Sequence, residues 1–521
     1  MNRKKYSAEL TPLLIIYFCA LLYSMIPFFL TGINLNGLLL SDAEFYAHSM
    51  EAMRSGLSAL QAGIPMDSKP IGDQLLNKYI GLIAQYLSIN LFSFSVFLSI
   101  ISLLLFLTAI YFLCRETLES NSLALFISLW CIIEIHALGG TTFGFRALGF
   151  LPRDFALAIS LFILYIYILA LQRNSNKLLL ASFFFCGIFT NYYSIAFVNL
   201  LGVLSVSEAI RQRTVSLKLI SLILMWAALA SPALMDLATK TSNWSSVDLR
   251  ILRERNSFMI FTGFNIDSIK YIRRFFIHSV AGIISMVYIG KSKAKIEPWF
   301  YILSSSILLS ITGIFIESTT EYLRLFISRA SQYVTISSMI LCCYASSVFL
   351  RTHFAKYSSA LLYFSLSIFF LFQSSITSIF NMWQDQRTNR QNRDEFLIAA
   401  HYAAISTDKD SLFIVPSSPS QDLAASFRTY ANRRIFTSYK DGGISLVDGE
   451  RARIWEHKYK IQEEVFSSNS LQPLLSLMKD GGIDYIFLPK FAKIYELLNN
   501  SSKFVTHRLT ENYYLVFIKK D

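Results

Sequence analysis

Two carboxylates, Asp42 and Glu44, stand just past an apolar segment, Pro12 to Thr31, that is long enough to cross a bilayer. A third, Asp154, follows Leu151-Pro152-Arg153 at the head of another apolar run. A carboxylate so placed can take a proton from an attacking hydroxyl or amine. Asp154 could also hold a substrate hydroxyl or share a divalent metal ion, Mg or Mn, with Asp42. The cationic complement is Arg324 and Arg329, which flank the start of a later apolar run. Arg329 falls just inside that run, where a cation is costly and usually functional. A phosphate is its natural partner through a bidentate contact, and cations can hold a departing phosphate as its charge grows.

Each group also has a plainer reading. Ser41-Asp42 precedes a helix and Glu44 sits in its first turn, where negative charge suits the helix dipole. Asp154 beside Pro152 can serve in the same way. Arg153 can pair with Asp154, bind phosphate or anchor at the membrane interface. Arg329 can snorkel to head groups. The tip Asn191-Tyr192-Tyr193 can line a cavity or belong to an interfacial aromatic belt.

Composition sets the class. Of 521 residues, 54% are hydrophobic and 16% charged, against about 25% charged in soluble domains. This is the composition of a polytopic α-helical membrane protein. The net charge of +12 does not point to nucleic acid, because most basic residues fall in short loops between apolar runs. There they orient the chain and meet lipid head groups. The cysteines (Cys19, Cys114, Cys131, Cys186, Cys342 and Cys343) all lie in apolar runs, which implies neither a disulfide framework nor a zinc site. The first span reads as an uncleaved anchor.

Arg3, Lys4 and Lys5 place the N-terminus in the cytoplasm. After the first span, SDAEFYAHSMEAMRSG and Gly72 to Ser88 read as helices lying on the membrane surface. Spans are expected at Leu91 to Cys114, Leu123 to Leu138, Phe155 to Leu171, Leu178 to Ile188, Ser194 to Val206 and Leu219 to Leu234. Others follow at Phe276 to Ile289, Trp299 to Ile316, Ser328 to Leu350 and Ser358 to Phe380. With the first, that makes about eleven spans, and every predicted inner loop is basic. The Gly-rich loop GGTTFGFRALGFLPRD carries Arg146 and Arg153. Residues 236 to 275 read as a long polar outer loop, with RILRERNSFMIFTGF suited to closing over a ligand or binding head groups. Residues 1–380 form the membrane part. Residues 381–521 form a soluble extracytoplasmic α/β domain with strands at DSLFIVP and DYIFLP, helices at ERARIWEHKYKIQEEV and LQPLLSLMKDGG, and a closing hairpin turning at Glu511-Asn512.

The acid soon after the first span, the helix that carries Tyr46, Lys69-Pro70 and the second helix with its long span resemble GT-C glycosyltransferases. The branch they look most like contains the aminoarabinose transferases and protein O-mannosyltransferases. The family often shows Asp-Glu where Ala43 separates Asp42 from Glu44, and Lys-Pro-Pro where Ile71 follows Lys69-Pro70. The resemblance implies a polyprenyl-phosphate sugar donor used outside the cytoplasm. It makes Asp42 the base candidate with Glu44 as neighbour, puts an acid at the place of Asp154, and offers Lys69 to the donor phosphate. Arg146, Arg153, Asn191, Tyr192, Arg324 and Arg329 complete the candidate substrate-binding set. The expected activity is inverting sugar transfer to a lipid, glycan or protein acceptor, by a multi-pass protein of the bacterial inner membrane. A transporter or scaffold for lipid-linked envelope glycans is the competing class. It would more often show paired acids, broken helices or an internal repeat within the spans. A glycan polymerase would share the donor without needing the C-terminal domain.

Overall fold

The computed structural model describes residues 3–31, 71–89, 91–132, 135–136, 142–143, 151–241, 244–255, 266–290, 295–319, 327–353, 362–363, 366–367, 390–418, 422–446 and 448–519. The helical part runs α1 (Arg3–Thr31), α2 (Ile71–Tyr86), α3 (Leu91–Leu118) and α4 (Asn121–Trp130). A short antiparallel pair follows, β1 (Ile135–His136) and β2 (Thr142–Phe143). Then come α5 (Pro152–Gln172), α6 (Asn176–Thr190), α7 (Ser194–Gln212), α8 (Leu217–Thr241), α9 (Ser246–Arg255), α10 (Ile266–Ile289) and α11 (Glu297–Thr319). A 3-10 turn, Ile327–Ala330, leads into α12 (Ser331–His353).

Among the described residues, seven helical segments are long and apolar enough to cross a membrane: those within α3, α5, α7, α8, α10 and α11, and the 3-10 turn together with α12. Leu10–Ile26, α4 and α6 are shorter apolar helices. The expected segment Ser358 to Phe380 lies almost wholly outside the described residues, as does the first of the two interfacial helices. The central helices are α5 and α12, each 67% buried over its apolar window, while that of α10 is only 22% buried. Serines are tolerated in these apolar helices because they bond back to their own helix. Ser102 Oγ donates to Leu98 O at 2.8 Å, Ser128 to Ala124 O at 2.7 Å and Ser310 to Ser306 O at 2.7 Å, so these three hydroxyls are satisfied within their helices.

Two expectations change. The span foreseen at Leu123 to Leu138 is a helix of 10 residues, rising about 15 Å where the hydrocarbon core is about 30 Å thick. The β-branched run Ile132, Ile133 and Ile135, with Gly139-Gly140 beyond it, favours extended chain over helix. The polar segment 236–275 is not all loop. It contains the end of α8, all of α9 and the start of α10. Leu249, Ile251 and Leu252 of α9 are buried, so this basic stretch has an apolar face to dock.

The C-terminal part comprises α13 (Arg390–Ser406), β3 (Leu412–Ile414), α14 (Leu423–Ala431), β4 (Arg434–Ile435), a 3-10 segment (Lys440–Leu446), α15 (Gly449–Ser467) and α16 (Gln472–Gly481). It ends with β5 (Tyr485–Pro489), α17 (Ile494–Asn499), β6 (Phe504–Arg508) and β7 (Tyr513–Ile518). The sheet order is β4-β3-β5-β7-β6. The first three strands are parallel, and β7 and β6 close the sheet antiparallel. Period-two alternation decides which side chain serves which core. Phe487, Tyr513 and Leu515 join Phe396, Phe413 and Phe427 on one face. Ile486, Leu488, Tyr514 and Val516 join Ile414, Val465 and Ile494 on the other. Both strands and both helices expected from the sequence form, as does the closing hairpin. Gly482 ends α16 in the left-handed region, where glycine carries no Cβ penalty.

The sheet part meets α9. Asp248 Oδ2 accepts from Ser245 N at 2.7 Å and Ser245 Oγ at 2.8 Å, and Asp248 Oδ1 accepts from Arg453 Nη1 at 2.5 Å. Gly449 permits this approach, since a Cβ there would lie 2.5 Å from Asp248 Cγ. Arg255 Nε donates to Tyr439 O at 3.0 Å, and its guanidinium lies 3.6 Å over the Tyr439 ring. Ile251 packs with Ala452, Trp455 and Tyr459.

Candidate functional site

The candidate residues that the structure describes converge at one end of the helical bundle. The first contributor is the N-terminus of α5. Pro152 occupies the first turn of that helix, where a missing N–H costs nothing and the fixed φ favours helix. Asp154 lies in the same turn and is buried, with its charge toward the positive end of the dipole. Arg153 Nε stands 3.6 Å from Asp154 Oδ1, an ion-pair distance longer than a hydrogen bond.

The second contributor is the tip between α6 and α7. Tyr192 Oη donates to Pro152 O at 3.2 Å, and its ring meets Phe155 edge-on at 5.7 Å. That pair fixes the tip to the first turn of α5. Asn191 sits beside Tyr192 as the C-cap of α6. Its Nδ2 donates to Leu229 O at 2.8 Å, and its Oδ1 accepts from Ala233 N at 3.1 Å. Both polar atoms of the amide are thus engaged by the backbone of α8.

The third contributor is the 3-10 turn Ile327–Ala330, which carries Arg329. The residue is buried and lies within the field of Tyr193, Arg153 and Glu317. Arg329 thus lies near one like charge and one opposite charge, and its own burial weakens the screening of both. Glu317, in the last turn of α11, is itself buried. It accepts from Ser328 N at 3.1 Å and from Ser328 Oγ at 3.0 Å. Gly313, one turn earlier on the same face, lets the 3-10 turn lie directly on α11. A Cβ at Gly313 would stand 2.2 Å from Ser328 N.

The structure thus brings together Arg153, Asp154, Tyr192 and Arg329, with Asn191 behind them. Asp42, Glu44, Lys69, Arg146 and Arg324 lie outside the described residues. Sequence reasoning named Tyr193 only as part of the tip and did not single out Glu317 or Gly313 as site residues. A signal existed for Glu317: it is an acid closing an otherwise apolar helix, Glu297–Thr319. His278 pairs its Nδ1 with Ser338 Oγ at 3.0 Å, a packing contact between α10 and α12. Among the described residues, no group of three or more His, Cys, Asp or Glu side chains is arranged to hold a metal ion.

No protein-family profile matches the chain, and no curated protein matches it in sequence. Solved structures do. The oligosaccharyltransferase of Archaeoglobus fulgidus, in a complex with Zn and sulfate, superposes with a TM-score of 0.50 at 11% identity, over 92% of this chain and 68% of that one. The same enzyme tethered through a disulfide bond to an acceptor peptide containing the NVT sequon gives 0.47 at 11% identity, over 92% and 69%. The likeness to the first of these, over nearly the whole chain, shows that the chain shares the fold of that enzyme, a GT-C fold.

Proposed function

We infer that the chain is an inverting glycosyltransferase that moves a sugar from a polyprenyl-phosphate-linked donor to an extracytoplasmic acceptor, which is a lipid, a glycan or a protein. The observation that carries this reading is the grouping of the Asp154 carboxylate with the Arg153 and Arg329 guanidiniums at one end of a GT-C bundle. In this reading residues 1–380 are the membrane part, the N-terminus is cytoplasmic, and residues 381–521 are a soluble domain outside the inner membrane.

The chemistry asked of the residues is limited. A hydroxyl or amine of the acceptor attacks the anomeric carbon. The new bond forms as the bond from that carbon to the phosphate oxygen breaks, and polyprenyl phosphate leaves with the electron pair. A carboxylate takes the proton of the nucleophile. Asp42 is assigned that role through the resemblance, with Glu44 beside it and Asp154 as second acid. Arg329, Arg153 and, outside the described residues, Lys69, Arg146 and Arg324 hold the phosphate as its charge grows. Tyr192 lines the sugar side. A Mg or Mn ion would need Asp42 together with Asp154. Asp154 is the described half of that pair, and a guanidinium already flanks it at 3.6 Å, so no step here is routed through a metal.

The test uses the full chain in nanodiscs, offered undecaprenyl phosphate carrying radiolabelled aminoarabinose or mannose, with envelope lipids, glycans and peptides as acceptors. Label should pass to one acceptor class in the wild type, and Asp154→Asn should slow that passage. Movement of an intact lipid-linked sugar between leaflets, with no bond broken, would replace this reading with a transporter.

A further inference from the structure

The joint between α6 and α8 has a purpose that packing alone does not require. Pro232 lies inside α8 and lacks the N–H that would bond Ala228 O, which loosens the turn around it. Two side chains repair the break. Ser231 Oγ donates to Ala228 O at 2.8 Å. Asn191, from another helix, takes both ends of the next opened bond: its Nδ2 gives a hydrogen to Leu229 O at 2.8 Å and its Oδ1 receives one from Ala233 N at 3.1 Å. An amide can do this because it carries a donor and an acceptor side by side. Trp226 Nε1 donates to Thr190 Oγ1 at 3.0 Å one turn away, so the two helices are pinned at adjacent levels.

We propose that Asn191 is a positioning residue for the candidate site, locking the 191–193 tip into the bend of α8 and thereby setting where Tyr192 and Tyr193 stand. This rests on the glycosyltransferase reading for its consequence, but the joint itself is a matter of hydrogen bonds. Tyr192 transmits the position to Pro152 O, hence to the turn bearing Arg153 and Asp154. Tyr193, next to it in the tip, lies near Arg329. The far end of α8 leads within a few residues to α9, which the C-terminal sheet part grips through Asp248 and Arg255. The bend therefore lies on the covalent path between that grip and the site.

The experiment compares wild type, Asn191→Ala, Pro232→Ala and the double variant, each as the full chain in nanodiscs. Amide hydrogen exchange is followed in segments 226–240 and 152–158, and affinity is measured for undecaprenyl phosphate alone. Asn191→Ala should raise exchange in both segments by about fivefold, the worth of a typical net hydrogen bond, and weaken lipid binding by a similar factor. In the double variant α8 regains its own hydrogen-bond ladder, so exchange in 226–240 should return to the wild-type level. Exchange in 152–158 should stay raised, and binding should stay weak, because the tip has no bend to lock into. Unchanged exchange in 226–240 on Asn191→Ala would overturn the joint. Full recovery of both the 152–158 segment and lipid affinity in the double variant would reduce Asn191 to helix repair. If wild type does not bind undecaprenyl phosphate at all, the glycosyltransferase reading fails by itself, and the two exchange segments still decide whether the joint exists.

Discussion

Two places among the described residues where charge is buried are built on opposite plans. In the seam between α9 and the C-terminal part, charges are closed within the chain by short bonds. Asp248 takes two hydrogen bonds from Ser245 and one from Arg453, and Arg428 is met by Asp441 at 2.7 and 3.2 Å. At the end of the bundle, Arg153 and Asp154 stand 3.6 Å apart, and Arg329 lies in the field of a second guanidinium. Like charges held together in a buried place raise the cost of folding. Under the proposed function a phosphate would add a further partner to Arg329, whereas the seam's bonds lie within the chain. The difference teaches that burial alone does not tell the two plans apart, since Asp248, Asp154 and Arg329 are all buried; the length of the ion pair does.

The strongest way to break the comparison is at the proposed base. Asp42→Asn should lower sugar transfer by roughly a hundredfold or more, with donor binding and thermal stability nearly intact. Asn can still cap a helix but cannot accept a proton at neutral pH. Glu44→Gln should cost less, since two positions along a helix turn a side chain by about 200°. Wild-type transfer by Asp42→Asn would move the base to Asp154, and indifference to both acids would end the enzymatic reading.

Next in size is the phosphate contact. Arg329→Ala should weaken undecaprenyl phosphate binding by about 2–5 kcal/mol, as expected for a desolvated charge-assisted pair. Arg351→Ala should leave it within error, because Arg351 is exposed in the last turn of α12. Titration of the lipid into nanodiscs decides it, and equal affinities would remove Arg329 from the site.

Much of this architecture was legible in the sequence because apolar runs and turn residues are local signals. The cores of α3, α5, α11 and α12 lie where hydropathy puts them, and the strands at LFI and YIFLP stand between the Asp and Pro residues that bound them. What was not legible depends on contacts distant in sequence. The polar segment 236–275 hides α9, whose Ile251 packs with Trp455 and Tyr459, about 200 residues later. Asn191 looked like a cavity residue, yet its amide meets a break created by Pro232 on another helix. Glu317 looked like an end-of-span charge until Gly313 allowed the turn bearing Arg329 to lie against it. Patterns of two or 3.6 residues carry no information about such meetings.

A smaller effect sharpens the seam side. In a double-mutant cycle over Asp248→Asn and Arg453→Gln, coupling should be about 1 kcal/mol. The bond is short, but the Arg453 side chain is 43% exposed, and solvent screening discounts the pair toward the surface range. Fluorescence anisotropy of a dye on Val247→Cys, in the exposed part of α9, reports docking under denaturant. Zero coupling would leave the apolar contact of Ile251 with Trp455 as what holds the seam.

The smallest effect is the pH dependence of that docking, and its sign follows from the groups involved. Burial pushes the Asp248 carboxyl up, but the Ser245 hydrogen bonds and the Arg453 guanidinium outweigh it and hold the group below its ordinary range. Glu456 behaves alike: burial raises it, while Lys460 and Arg250 bring it below. A depressed carboxylate stabilises the docked state fully above its undocked value, near pH 4, and loses that contribution as pH falls through the docked value. Asp422 runs the other way. Burial raises it despite hydrogen bonds from Ser417, Lys440 and Ala425, so acidification first relieves a buried charge beside the seam. Dye anisotropy should therefore hold steady, with α9 docked, from pH 7 down to about 4.5, and fall only below about pH 4. Asp248→Asn should leave a shallower acid limb, carried by Glu456. An acid limb of wild-type depth and midpoint in that variant would show that Asp248 does not govern the release.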